Sequence, residues 1–150
     1  MDPAQTLDVI FILDQANAMT IATVGEEGYP PATRVSYVND GLTVYFGCAA
    51  ESQKAENIAR SDKVSLTVSL PYASWDEIRD LSIGGKAAPV AERQERDRVG
   101  ALMFQKFPQI VQYAPTDMEG LMLFRFGPEV VSVLDYRKGF GHTDLVNVVA

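Results

Sequence analysis

The sequence predicts a small antiparallel β-barrel of six to seven strands with peripheral helices, in a single domain spanning residues 1–150. Three observations carry this. Stretches in which apolar and polar residues alternate outnumber stretches of helical period. Most connections between them are too short for the crossover that parallel strands require. A flat open sheet of this many strands would also leave edges in need of protection, whereas closure removes them. At 150 residues and 47% hydrophobic content the chain has the size of one ordinary domain, which buries roughly two-thirds of its unfolded surface. It contains no repeat, no low-complexity tract and no interdomain linker.

The elements follow in order. Asp2-Pro3 opens a first helix, because aspartate caps and proline suits the first turn. Leu7, Ile10 and Phe11, with Ile12 and Leu13 close by, then keep helical spacing to about Asn17. From Ala18 the period drops to two. MTIATV, ATRVSYV and LTVYFGC read as three strands of an antiparallel meander, joined by GEEGYPP and by the turn Asn39-Asp40-Gly41. In that turn Asp-Gly supplies the positive φ that tight hairpins need. The stretch AAESQKAENIAR is an amphipathic helix with Ala55, Ile58 and Ala59 as its buried stripe. KVSLTVSL then sets Val64, Leu66, Val68 and Leu70 on one face and Ser65, Thr67 and Ser69 on the other.

Pro71 to Asp80 is a loop carrying the one tryptophan, Trp75. LSIGGKAAPVA is a strand whose Gly84-Gly85 pair marks a bulge or a close backbone approach. A helix from about Glu92 to Lys106 shows Val99, Leu102 and Met103 at i, i+3 and i+4 and stops near Phe107-Pro108. Gln109 to Glu119 is irregular. LMLFRF and EVVSVLDY read as two strands around Gly127-Pro128, and DLVNVV as a short last one.

Charge narrows the function. A formal charge of -7 argues against general affinity for nucleic acid or an anionic membrane, since both reward clustered Lys and Arg. Any phosphate must be bound locally. Cys48 is the only cysteine, which excludes an internal disulfide and a multi-cysteine zinc site and fits a reducing, intracellular setting. The N-terminal apolar residues are interrupted by Asp2, Asp8 and Asp14, lack a basic leader and are too few to span a bilayer. A soluble cytoplasmic protein is expected.

Ser52-Gln53-Lys54 is the first candidate site. A helix start gathers unpaired N–H groups and the positive end of the helix dipole, to which Ser52 adds a hydroxyl, Gln53 a carboxamide and Lys54 a charge, a set suited to phosphate. The same residues also suit an ordinary amphipathic helix with Ser52 as its cap and Lys54 in solvent. Arg34 lies mid-strand on the face of Ala32 and Ser36, either at a polar interface or as a plain surface residue. Cys48 sits just before the helix, where thiol pKa values can fall, with no histidine nearby in sequence. His142, the one histidine, cannot build a multi-histidine metal site, though a single axial haem ligand needs only one ring. Asp76, Glu77 and Asp80 have no obvious partner and read as a solvated loop.

The ordered set is more telling than any piece. MTIATVGEEGYPPATRVSYVNDGLTVYFGCAAESQKAENIARSDKVSLTV, Met19 to Val68, contains strand, Gly/Pro turn, R-V-x-Y strand, D-G hairpin, Y-F strand, S-x-K at a helix start and a K-V-S-L strand. This resembles the pyridoxamine 5'-phosphate oxidase-like, FMN-binding split-barrel family. The resemblance implies a homodimer with FMN in clefts between subunits. Arg34, Val35 and Ser36 would run beside the flavin, Gly47 and Cys48 would approach it, and Ser52 and Lys54 would grip its phosphate, with Gln53 where many members carry arginine. The tail LDYRKGFGHTDLVNVVA lacks the tryptophan and the R-x-H-x-R element of true pyridoxamine phosphate oxidases, so a relative rather than a vitamin B6 oxidase is expected. His142, in the turn Gly139 to His142, is a further cofactor candidate. The expected activity is flavin-mediated hydride or electron transfer to a small molecule. A haem or deazaflavin-coenzyme protein on the same fold, or a non-catalytic flavin carrier or sensor, are the alternatives.

Overall fold

A computed structural model describes residues 1–113 and 120–148. Three α-helices, α1 (Pro3–Gln15), α2 (Gln53–Arg60) and α3 (Arg93–Lys106), accompany eight strands: β1 (Ala18–Thr23), β2 (Ala32–Ser36), β3 (Val38–Asp40), β4 (Thr43–Ala49), β5 (Lys63–Ser69), β6 (Arg79–Pro89), β7 (Leu121–Asp135) and β8 (Thr143–Asn147). The strands form one sheet in the order β2-β1-β5-β6-β7-β4-β3, with β8 also on β7, and every pairing is antiparallel.

The two ends of that order are neighbours in the chain. β2 and β3 are halves of one extended run interrupted at Tyr37. The first half pairs with β1 and the second with β4, so a single run joins both ends of the sheet and curls it into a barrel. The expected meander therefore holds in connectivity, but its middle strand changes partners. The six to seven expected strands become eight segments because this run is counted twice and the last strand forms. The fold is the expected split barrel, mainly β with peripheral helices.

Sequence pattern explains most elements. Asp2 caps α1 with a full capping box: its carboxylate accepts from the Gln5 N–H at 2.8 Å and the Gln5 side chain accepts from the Asp2 N–H at 3.1 Å. β5 alternates strictly between exposed and buried. Gly84-Gly85 carries a register shift against β7, and a Cβ on Gly85 would lie 2.2 Å from the Gly127 carbonyl oxygen.

Two expectations need correction. LMLFRF and EVVSVLDY are one strand, β7, because Gly85 pairs with Pro128 and Gly84 with Val130. The extra residue, Glu129, makes a bulge at which proline's missing N–H is tolerated. In α2, Ala59 is exposed and Asn57 is buried instead. Asn57 is compensated: its Nδ2 donates to Thr23 Oγ1 at 3.0 Å, and its Oδ1 accepts from Gln53 Nε2 at 2.8 Å and Arg60 Nη2 at 2.6 Å.

The barrel interior holds Phe46 stacked on Phe124 at 5.4 Å, with Phe126, Ile21, Leu66 and Ile83, and α1 packs Val9, Ile12 and Leu13 into it. A second apolar cluster, Val38, Tyr45, Val90, Val99 and Leu123, lies where α3 brings Leu102, Met103 and Phe107 against the sheet. β4 serves both clusters, with Val44, Phe46 and Cys48 toward the interior and Tyr45 toward α3. At the end of β7, buried Asp135 accepts from Arg137 Nε at 2.9 Å and Nη2 at 2.8 Å, which holds its carboxyl down to about 2.

Gly85→Ala should destabilise the fold by about 3 kcal/mol or prevent folding, since a backbone carbonyl occupies the Cβ position; chemical denaturation checks it. The Asp135 pKa is depressed on folding, so its contribution is present above the unfolded value and lost as pH falls toward 2. Asp135→Asn should thus cost about 2 kcal/mol at neutral pH, and urea melts should show the difference from wild type shrinking below about pH 4.

Candidate functional site

The β3–β4 ladder pairs Asp40 with Thr43, Asn39 with Val44 and Val38 with Tyr45. Continued by two residues, it would set Ser36 against Gly47. It stops instead at Tyr37, whose buried hydroxyl donates to the Leu13 carbonyl at 2.6 Å, and the run then turns to β1. Burial, with Asp14's charge nearby, pushes the Tyr37 phenol well above its ordinary value. The barrel is therefore split: beyond Tyr37 no ladder joins the facing edges of β2 and β4 among the described residues. Ser36, Tyr37 and Gly47 line a groove of about 330 Å³ there, closed on the other side by Met103, Phe107 and Ile110.

Lys106 fastens that second wall. Its Nζ donates to the Ala16 carbonyl at 2.7 Å and lies 4.2 Å from the centre of the Tyr37 ring. A cation there complements the C-terminal end of α1, and burial lowers its pKa against the pull of Asp14. At the other end of α3, Glu95 accepts from Arg125 at 2.6 Å and from the Tyr45 hydroxyl at 2.9 Å. These two bonds hold its carboxyl below the ordinary range.

β4 leads from the groove to α2. Ser52 caps the helix: its Oγ accepts from the Ala55 N–H at 3.2 Å and donates to the Ala49 carbonyl at 2.7 Å. The cap uses one of the first N–H groups and leaves those of Gln53 and Lys54 at the positive end of the dipole. The Gln53 carboxamide is bonded to Asn57. Lys54 is half-buried and has no ion-pair partner among the described residues.

The structure thus brings Ser36 and Gly47 together. Val35 and Cys48 pack toward the barrel interior. Arg34 is exposed and lines a separate cavity of about 440 Å³ with Thr20, Thr67 and Ser69 on the outer face of β1 and β5. His142 lies in the turn before β8, its Nε2 3.1 Å from Asp144, whose carboxyl it holds down together with Lys138, and it does not line the groove. Beside it Phe140 sits 6.0 Å from Trp75 and 5.3 Å from Tyr136, centre to centre. The loop acids serve local structure: Asp76 accepts from Ser74, and Glu77 accepts from the Ala73 N–H at 3.0 Å. Among the described residues no three His, Cys, Asp or Glu side chains gather as a metal site, and no helix is long and apolar enough to cross a membrane.

Sequence reasoning missed the helical wall. Met103 was visible as part of a helix stripe and Phe107-Pro108 as a stop, but no local spacing says that they close a groove. Lys106 gave no signal, because its partner carbonyl lies 90 residues away.

A family model for pyridoxamine 5'-phosphate oxidase matches residues 10–135. The chain belongs to the pyridoxamine 5'-phosphate oxidase family. Among curated proteins it is 21% identical over 127 residues to general stress protein 26 of Bacillus subtilis (strain 168), covering 85% of this chain and 86% of that one. A haem-binding protein from Mycobacterium smegmatis has the same fold, with a TM-score of 0.82 at 19% identity; the match spans 98% of this chain and 59% of that one. The conserved hypothetical protein Rv2991 from Mycobacterium tuberculosis matches with a TM-score of 0.75 at 27% identity, over 100% of this chain and 95% of that one. The family match spans both strands of the split, α2 and α3, so the groove is part of the family domain.

Proposed function

We propose that this member of the pyridoxamine 5'-phosphate oxidase family is a cytoplasmic FMN-binding oxidoreductase, working as a homodimer with its cofactor between subunits and passing hydride or electrons to a small molecule. The observation that carries this reading is the split between β2 and β4, which opens two strand edges at Ser36 and Gly47 and leads along β4 to the start of α2. The donor set there fits a phosphate. Lys54 offers an ammonium, the cap leaves the N–H groups of Gln53 and Lys54 available, and a rotation of the Ser52 hydroxyl turns its proton from the Ala49 carbonyl to an anion while its oxygen still accepts from Ala55. The groove fits a ring, because its walls are mostly apolar and Gly47 adds no side chain.

In this reading Arg34, Val35 and Ser36 run along one edge of the ring and Gly47 and Cys48 along the other, with Ser52, Gln53 and Lys54 at the phosphate. Bound FMN supplies hydride or single-electron chemistry. The chain's own residues position it, exclude water with Met103 and Phe107, and offset the phosphate charge with Lys54 and the helix dipole. His142 joins the site only from across the subunit interface, since within one chain it is bonded to Asp144 and stands apart from the groove. The fold shared with the haem-binding protein from Mycobacterium smegmatis supports haem as the second reading, in which His142 would leave Asp144 to ligate iron.

The protein as isolated should be yellow, with the two near-ultraviolet and visible bands of oxidised flavin. A Soret band lost in His142→Ala would favour haem, and a colourless protein that gains no spectrum on FMN addition would sink the flavin reading. Ser52→Asp keeps a good cap but repels phosphate, so thermal stability should hold while FMN affinity drops about tenfold or more. Lys54→Ala should lose several-fold in the same fluorescence titration, and unchanged affinity in both would return α2 to a plain helix. Light scattering should give a dimer mass at micromolar concentration; a monomer with stoichiometric flavin would contradict a shared site.

A further inference from the structure

The helical side of the groove has a chemistry of its own. Met103, Phe107 and Ile110 present only apolar atoms; the exposed Tyr113 adds one hydroxyl on the helical side and Ser36 another on the sheet side. Lys106, beside the groove wall, is turned away, with its Nζ on the Ala16 carbonyl and its charge over the Tyr37 ring. Met103 and Leu121 also line a second space of about 300 Å³ beside Gly100. Gly100 lies inside α3, where glycine weakens a helix, and a Cβ on it would meet nothing within 4 Å. Among the described residues nothing fills the room that this glycine leaves. Arg96 and Asp97, at the exposed far end, carry opposite charges on adjacent residues and offer no net charge to a ligand.

We infer that the α3 side of the groove binds a neutral, flat, largely apolar ring compound, such as an unsubstituted or alkylated quinone, and discriminates against phosphorylated or other anionic ligands. The physical reason is desolvation. An anion on the α3 side of the groove would give up water and, among the described residues that line it, find no cation in exchange. A neutral ring loses little on leaving water and gains apolar contact with Met103, Phe107 and Leu121. Naming this compound as the reactant rests on the flavin reading above, whereas the preference for a neutral ring belongs to the groove and is measurable without cofactor.

The test uses calorimetric titration of the full chain, with and without FMN. The probes are menadione and 1,4-naphthoquinone-2-sulfonate, which share a ring system and differ in charge. Menadione should bind at least about tenfold more tightly. In the cofactor-free protein Met103→Glu, at a half-buried position, should weaken menadione by a similar factor while the thermal midpoint stays within a few degrees. Ile110→Glu is the second variant should Met103→Glu unfold. Equal binding of the two probes, tighter binding of the sulfonate, or binding of neither would overturn the inference. Unchanged menadione binding in a folded Met103→Glu protein would also overturn it. If FMN fails to bind while the neutral preference persists, the ligand class stands and the flavin reading falls.

Discussion

The structure depends on one residue's choice of partner. At Tyr37 an extended run leaves β4 and takes up β1, and the same break both closes the barrel and splits it. The break is held by the Tyr37 hydroxyl on the Leu13 carbonyl and, one layer out, by Lys106 on the Ala16 carbonyl. Each bond contributes only about 1 kcal/mol net, but its alternative is a carbonyl at the end of α1 left without that partner. Closure, the anchoring of α1 and the opening of the groove are therefore one arrangement. None can be lost without disturbing the other two.

That arrangement decides what a single sequence can disclose. Local rules were legible where local physics decides: Asp2 and Gln5 as a capping box, the alternation of Val64, Leu66 and Val68, and the bulge at Gly84-Gly85. The wrong readings came where a distant partner overrode a local signal. Pro128 looks like a strand break, yet lies at a bulge opposite Gly85 that only the β6 register reveals. Ala59 fits an apolar stripe better than Asn57 does, but Thr23, Gln53 and Arg60 supply the bonds that make the buried asparagine tolerable. The strand side of the candidate site, Ser36 and Gly47, was recognisable from the ordered family pattern. Its helical wall was not, because Met103 and Phe107 face the groove only after α3 has packed on the second apolar cluster.

Charge is distributed to the same end. In a chain of net -7, several cations are committed to fixed partners: Arg98 to Asp40, Arg125 to Glu95, Arg137 to Asp135 and Arg79 to Asp8. The exposed ones among them, such as Arg98 with Asp40, add little to stability. Their position matters more than their energy, since two of them tie the first half of α3 to β3 and β7. Lys54 stands apart from these pairs, beside a helix dipole of matching sign, which is where a local anion site in an acidic protein has to be built.

α3 is consequently pinned at both ends by polar bonds, Glu95 and Arg98 near its start and Lys106 at its finish, with an apolar stretch between them. A wall fixed this way meets a ligand with its geometry already set and loses little order on binding. The polar bonds also commit the charges at the two ends of α3: Lys106 points to α1, and Glu95 is covered by Arg125 and Tyr45. The interactions that hold the wall in place are thus the ones that keep it neutral. Replacing Lys106 with an uncharged residue would therefore loosen the wall without making the groove any more apolar, and the groove's preference and its rigidity are two results of one set of contacts.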